Sequence, residues 1–395
     1  MRAAETSPAL WFDSVDVPDL RRRRGVKWAK YGPDTLAAWV ADMDFPPAPP
    51  VREVLADMVE AGDLGYGWLG EPNAVAVAFA RWAERRHGWA VDPASVVLTT
   101  DVLQPLQALV DLHAAPGEGV VVQTPIYPPF LQALEMTGRR LVDHPLGPAA
   151  EGYPLDVEAL PRLVGGGARV LLLCNPHNPS GRVLRRDELD ALARAALEHD
   201  LVVVADEIHA DLVYDGHRHI PFASLGADVA ARTVTLTSAS KTFSFAGLRA
   251  ALAVFGSPEL KARYETIPPY LLGRPATPGT MASVAAWERG DEWVDALVRY
   301  LDGNRRHVEA FVAEHLPGVS HRAPEATYLA WLDCRELVAS GRCEDPAAFF
   351  LERARVALND GRAFGAQGTG FVRLNFGTSR RVLDQVLGRM AEALA

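Results

Sequence analysis

The chain has 395 residues, 49% of them hydrophobic and 23% charged, with a formal net charge of −10. That length can bury a large core and suits two or three domains, and the acidic balance gives no global support to a nucleic-acid partner. Cys174, Cys334 and Cys343 show neither paired nor metal-ligand spacing, which points to a reducing, cytoplasmic compartment with no metal site; no apolar run is long enough to span a membrane, and the N-terminus lacks the apolar segment of a secretory signal.

In chain order, the basic run Arg21–Arg24 reads as a solvated face, and the proline-rich "DFPPAPP" (44–50) as a rigid, extended connection. Seven short apolar runs follow: "SVVLT" (95–99), "GVVVQ" (119–123), "RRLVDH" (139–144), "ARVLLLC" (168–174), "DLVVVAD" (200–206), "RTVTLT" (232–237) and "AALAVFG" (250–256). Rich in Val and Leu without polar alternation, they predict strands covered on both faces. Amphipathic stretches at 102–114 and 186–198 lie between them, and strand–helix alternation predicts a mainly parallel sheet with right-handed crossovers. Beyond a boundary near 290 the pattern changes. One long helix (291–317), "ATYLAWLD", a helix-like stretch (346–358), "FVRLNFG" and a last helix from about 380 make a smaller α+β unit. The expected fold is therefore α/β: an N-terminal arm (1–45) joining the small domain, a large domain (46–290) with a seven-stranded, mainly parallel sheet between helices, and a small C-terminal α+β domain (291–395).

Open parallel sheets bind ligands outside the carboxyl ends of their strands. Five of the seven ends carry polar or special residues: "TDVLQPL", "TPIYPPF", "NPHNPSG", "DEIHADLVY" and "SASKTF". Lys241 in the last of these sits between Ser240 and an apolar run. A confined amine whose pKa is depressed by burial can form a Schiff base with an aldehyde, which points to pyridoxal 5′-phosphate (PLP). Asp206, at the end of an apolar strand, is either a helix N-cap or the acidic partner that keeps the cofactor's pyridine nitrogen protonated. Asn178 is a turn residue or a donor to the ring hydroxyl oxygen. Tyr127 is core or stacks on the ring. Ser238, Ser240 and Arg249 offer hydroxyls and a cation for a phosphate, and the helix opening at Val102 offers free N–H groups for the same anion.

The segments "NPHNPSGR", "ADEIHADL" and "SASKTFSFAGL", in this order and spacing, resemble the fold-type I PLP enzymes of the class I/II aminotransferase superfamily. Together with "FDSVD", "VKWAKY", "WVADMDFPPAPPV", "GYGWLG", "TPIYPPF", "PEATYLAWLD" and "RLNFG", they resemble most its MalY/PatB-type cystathionine β-lyase (C–S lyase) branch. The resemblance spans nearly the whole chain. It implies that Lys241 carries the cofactor and shuttles the Cα proton, with Asp206 and Tyr127 beside it in the catalytic set. Asp206 would be the pyridine partner, Asn178 the ring-hydroxyl donor and Tyr127 the stacking aromatic. Ser238, Ser240, Arg249 and the backbone of Val102 and Leu103 would be phosphate ligands. Tyr66 would reach the phosphate from the other subunit of a homodimer. Arg373, with Ala41 and Asn178, would hold the substrate, Arg373 clamping its α-carboxylate while Ala41–Asp44 closes over it. His209, on the cofactor side of the site, replaces the tyrosine that typical aminotransferases carry three residues after the pyridine aspartate. His177, His217 and His219 read as loop residues.

Three positions depart from the branch. Asp101 stands where a glycine usually precedes the phosphate-binding valine; a carboxylate there opposes a phosphate unless it turns to cap the following helix. Ser244 replaces the usual asparagine, and Phe245 an aliphatic residue. These changes bear on substrate more than on cofactor. The expected activity is a PLP-dependent C–S β-lyase acting on cystathionine, cysteine or an S-substituted cysteine. The alternatives are an aminotransferase on the same scaffold and a PLP-binding regulator with little turnover, which the retention of Lys241, Asp206 and Arg373 argues against.

Overall fold

All seven expected strands form, with no end shifted by more than two residues. The computed structural model describes residues 8–67, 70–71 and 73–395; Trp68 and Leu69 of "GYGWLG" lie outside them. The strands are β1 (Val96–Thr99), β2 (Gly119–Thr124), β3 (Arg140–Pro145), β4 (Ala168–Cys174), β5 (Val202–Asp206), β6 (Thr233–Thr237) and β7 (Ala251–Phe255). They join in the order β1-β7-β6-β5-β4-β2-β3, with only β7 antiparallel to its neighbours. Cys174, Asp206 and Leu236 are in register across β4, β5 and β6, so these three strands end at one level.

Alternation along the strands supplies two apolar faces. Val120, Val122 and Leu172 pack with helices α1 (Leu103–His113) and α2 (Pro128–Thr137), whereas Val121, Leu171 and Leu173 pack with α3 (Arg186–Glu198). In α3, Leu189, Leu192, Ala193 and Ala196 follow the i, i+3, i+4, i+7 spacing of one helical face and are all buried. Its first turn is fixed by Glu188, whose carboxylate accepts the Arg185 N–H at 2.9 Å. Each buried Leu or Val contributes about 1.5–3 kcal/mol, so the sheet is held as a rigid platform.

The C-terminal part holds α4 (Thr277–Arg289), α5 (Asp291–His315), strands β8 (Ser320–His321), β9 (Leu329–Asp333), β10 (Asn359–Asp360) and β11 (Phe371–Asn375), and α6 (Arg380–Leu394). The four strands form a separate sheet in the order β10-β11-β9-β8. The helix-like stretch 346–358 is shorter than expected. It runs as Pro346–Phe349 and a wider turn, Phe350–Ala354, and then breaks at Arg355, whose φ is +53°. Val356–Ala357 instead pairs in parallel with Leu36–Ala37, since two β-compatible apolar residues find a partner strand there. "DFPPAPP" is likewise extended only in part. Pro49 and Pro50 open the helix Pro49–Glu60, where proline's missing N–H would be unpaired in any case. Among the described residues no helix is long and apolar enough to cross a membrane.

The N-terminal segment is laid across this framework and pinned by a buried ion pair. Lys27 Nζ lies 2.9 Å from Asp44 Oδ2, with both side chains almost fully buried. Trp28 Nε1 donates to Asp44 Oδ1 at 2.7 Å, and Lys27 also donates to the Asp42 carbonyl at 2.8 Å. Asn375 Nδ2 donates to the carbonyls of Val40 (2.7 Å) and Asp42 (2.8 Å). Removing one partner of a buried pair leaves the other charge uncompensated. Asp44→Ala should therefore destabilise the protein by about 3–5 kcal/mol in urea unfolding, and the paired change Lys27→Met/Asp44→Leu should recover most of that loss.

Candidate active site

The carboxyl ends of the strands, the start of α1 and the N-terminal segment enclose a cavity of about 180 Å³. Of the residues singled out from sequence, Ala41, Val102, Leu103, Tyr127, Asn178, Asp206, His209, Ser238, Ser240, Lys241 and Arg249 line it. A larger open groove of about 560 Å³ lies at the opposite edge of the sheet, lined by Trp89, Ser95, Gly256 and Lys261 among others. It brings together none of the motif residues.

Lys241 follows β6 and is half-buried at the cavity wall. Its Nζ donates to the Ala41 carbonyl at 2.6 Å, a contact spanning 200 residues of chain. Burial lowers its pKa, with Asp42 and Asp206 opposing and Arg373 adding to the fall. Asp206 ends β5, buried, and its Oδ1 accepts the Ile208 N–H at 3.1 Å. Burial raises its pKa to about 7, against the pull of that hydrogen bond and of Lys241. His209 is buried with Nδ1 unpartnered, and its ring meets Tyr328 edge-on at 5.8 Å. Burial, with Lys241 and Arg373 nearby, lowers its pKa to about 3, so the imidazole is neutral. Tyr127 begins α2, and burial raises its pKa.

Arg373, on β11, stands outside the cavity lining but is tied to it. Its Nη1 donates to Asn178 Oδ1 at 2.8 Å, and its Nη2 to Asn359 Oδ1 at 2.6 Å and the Trp39 carbonyl at 3.3 Å. Its Nε is buried without an acceptor, and burial lowers its pKa to about 10. Asn178 is set by the turn "NPHNPSG". Gly181 there has φ +69° and a Cβ would stand 2.2 Å from Pro324 Cβ, so only glycine allows the turn to close on the 324–326 segment.

At the other end of the cavity Ser238 Oγ donates to the Ala250 carbonyl at 2.7 Å and lies 2.8 Å from Ser240 Oγ. Arg249, held at φ +53°, pairs with Asp101 Oδ2. Asp101 Oδ1 accepts the N–H groups of Leu103 and Gln104, both at 2.9 Å. The carboxylate thus caps α1, and the Leu103 N–H is not free as expected. Tyr66 is fully exposed and takes no part in the cavity of its own chain.

A match to the family model "Aminotransferase class I and II" covers residues 43–390. The chain belongs to the class I and II aminotransferase family. Within it, the chain is 37% identical to cystathionine beta-lyase PatB of Bacillus subtilis (strain 168), over 94% of this chain and 97% of that one. The crystal structure of OvoB is similar at 39% identity and a TM-score of 0.89, covering 95% of this chain and 97% of the other. The PLP-bound C-S lyase from Staphylococcus hominis is similar at 28% identity and a TM-score of 0.89, covering 97% and 98%.

Sequence reasoning passed over several buried groups around the site. Tyr328, quoted only as part of a motif, is fully buried and donates to the Ala41 carbonyl at 3.1 Å. Asn359 holds Arg373. His219, read as a loop residue, is buried with its Nε2 3.0 Å from Glu207 Oε2, next to Asp206; His177, likewise read as a loop residue, is buried against Ser180 Oγ at 2.8 Å. Asp211 accepts from Trp82 Nε1, His87 Nε2 and Thr242 Oγ1, all at 2.9 Å, the last being the residue after Lys241. For Tyr328 and Asp211 the partners are remote in sequence, so no spacing announces them.

Asp206 has a pKa raised to about 7 in the folded chain, against 3.8 as its ordinary value. Its contribution to stability is complete below the lower value and is lost as pH rises through the higher one. In cofactor-free protein, the stability advantage of Asp206→Asn over the wild type should grow by roughly 2 kcal/mol between pH 5 and 7.5. A gap in urea unfolding that stays constant would show Asp206 ionised throughout.

Proposed function

We propose that this chain is a PLP-dependent carbon–sulfur β-lyase that splits cystathionine or another S-substituted cysteine into a thiol, pyruvate and ammonia. The observation that carries the reading is the set Lys241, Asp206 and Arg373, all desolvated around one cavity and each with binding capacity left over. The Asp206 carboxylate accepts only the Ile208 N–H among the described residues. Arg373 keeps an unpartnered buried Nε. Of the four lysines, Lys27 is locked in its ion pair, Lys30 lies 4.5 Å over the Trp39 ring and Lys261 donates to the Ala94 carbonyl, which leaves Lys241 for the cavity. A buried carboxylate without a cation, an amine of lowered pKa and an anion cradle at the start of α1 fit the pyridine nitrogen, aldehyde and phosphate of PLP.

When bound, PLP supplies an aldehyde carbon and an electron-poor ring that stabilises negative charge at the substrate Cα. Asp206, at the end of β5, holds a proton on the ring nitrogen and so maintains that electron demand. Asn178 and Tyr127 orient the ring. Arg373 binds the substrate α-carboxylate with its planar fork, held in place by Asn178 and Asn359. Lys241 Nζ, with its neutral form favoured by burial, takes the Cα proton. The Ala41 carbonyl holds the amine on the cavity side before it acts, and the segment around it excludes water. The Cβ–S bond breaks with its electron pair leaving on sulfur, and water completes the conversion of the remaining three-carbon unit to pyruvate and ammonia. His209, neutral and buried, adds no charge beside Asp206.

The reading extends to assembly and compartment. A homodimer is supported by the exposed Leu64, Tyr66, Tyr270 and Leu271, an apolar surface suited to a second copy, with Tyr66 reaching the partner's phosphate site. Residues 46–290 form the cofactor-bearing domain. The arm (1–45) belongs with the small domain (291–395), a division supported by the pairing of Leu36–Ala37 with Val356–Ala357. Three free cysteines support a cytoplasmic setting.

Borohydride reduction in the presence of PLP should place the pyridoxyl label on Lys241 in peptide mapping; a label on Lys27, Lys30 or Lys261 sinks the assignment. With cystathionine or another cysteine thioether, the protein should release thiol, pyruvate and ammonia in equal amounts without an added keto acid, and alanine should give no comparable turnover. Dependence on a keto-acid acceptor, with pyridoxamine phosphate accumulating, would establish an aminotransferase instead.

A further inference from the structure

We propose that Asp101 is an internal occupant of the phosphate cradle and so sets the protein's affinity for its cofactor; this rests on the PLP reading above. The cradle combines the N-terminus of α1, Ser240 and Arg249 at one end of the cavity. An incoming phosphate needs the N–H groups of the first turn and the Arg249 guanidinium. Asp101 already holds Arg249 and one of the two N–H groups expected to serve the phosphate, that of Leu103. Its Oδ1 is 2.9 Å from the N–H donors of Leu103 and Gln104, and its Oδ2 is paired with Arg249 and lies 3.5 Å from Thr100 Oγ1. Ser238 adds no free donor, because its hydroxyl is committed to Ala250.

Two anions compete for the Leu103 N–H, and their repulsion grows where water is excluded. Phosphate binding therefore requires the carboxylate to give up its hydrogen bond from Leu103 and its share of Arg249. The empty protein keeps a capped α1 and a neutralised arginine, so Asp101 stabilises the cofactor-free state and not the loaded one. Part of the phosphate's binding free energy goes to displacing it. A neutral side chain at this position removes the competition for Arg249, and asparagine still caps a helix as well as aspartate does. Glycine removes both the charge and the cap.

The test is equilibrium binding of PLP and of pyridoxal, which lacks the phosphate, to cofactor-free wild type, Asp101→Asn and Asp101→Gly, with thermal melting of each cofactor-free protein. Asp101→Gly should bind PLP about tenfold more tightly than the wild type, the size expected for a lost cap and a partly exposed ion pair, and Asp101→Asn, which keeps the cap, about threefold more tightly. Their affinity for pyridoxal should be unchanged. Cofactor-free Asp101→Gly should melt below the wild type, and the difference should narrow on saturation with PLP. Weaker or unchanged PLP binding in both variants overturns the proposal, as does an equal gain for pyridoxal, which would place the effect away from the phosphate. If wild-type protein binds no PLP and borohydride labels no lysine, the cofactor reading fails and takes this proposal with it.

Discussion

An amine and a carboxylate face one cavity without touching each other, and the rest of the structure is arranged around that constraint. Among the described residues no ion pair joins Lys241 to Asp206; Lys241 rests on the Ala41 carbonyl and Asp206 on the Ile208 N–H. Each group is thus hydrogen-bonded to a single backbone partner, and burial outweighs their mutual attraction and pushes both toward neutrality: the lysine down, the aspartate up to about 7. A direct ion pair would have spent both groups on each other. Holding them apart needs a rigid floor and a separate roof. The sheet, apolar on both faces, is the floor and fixes where β5 and β6 end. The segment around Ala41 is the roof, and it is why so many buried polar groups (Lys27, Asp44, Tyr328, Asn375) are invested in a stretch of irregular backbone.

The sheet was legible because its strands are continuous apolar runs, a pattern that burial on both faces demands and that few other elements share. Their ends were legible too, because polar residues such as Asp206, Asn178 and Lys241 directly after such runs have no packing role to play. The roof was not. The contacts that join it to the site are side chain to backbone carbonyl over 200 residues or more, as between Lys241 and Ala41 or Tyr328 and Ala41, and a carbonyl has no letter in a sequence. His219 was hidden differently: its sequence neighbours are loop residues, but its partner, the Glu207 carboxylate, stands beside Asp206. The helix expected at 346–358 failed for a related reason: local periodicity continued past Ala354, but a partner strand at Leu36–Ala37 was available to Val356 and Ala357.

The residues that depart from the family pattern acquire physical meaning from the backbone beneath them. Ser244 sits at φ +61°, a region asparagine tolerates better than serine, so the branch's usual asparagine is explained by conformation and its loss here is a small local strain. Ser244 Oγ is 3.3 Å from the Phe45 carbonyl and 3.4 Å from that of Met43, contacts that tie the Lys241 loop to the roof. Arg249, five residues on, is also left-handed, at φ +53°. The chain between them therefore turns back on itself, and this turn carries Arg249 to the start of α1, where it meets Asp101. In the empty protein a half-buried carboxylate at that position would be unfavourable only with nothing to neutralise it. Here the same turn that positions the cation supplies the neutralising partner. The departure at Asp101 is accommodated by the cradle's own donors, so the charge that looks out of place in the sequence is the one that keeps those donors satisfied before any cofactor arrives.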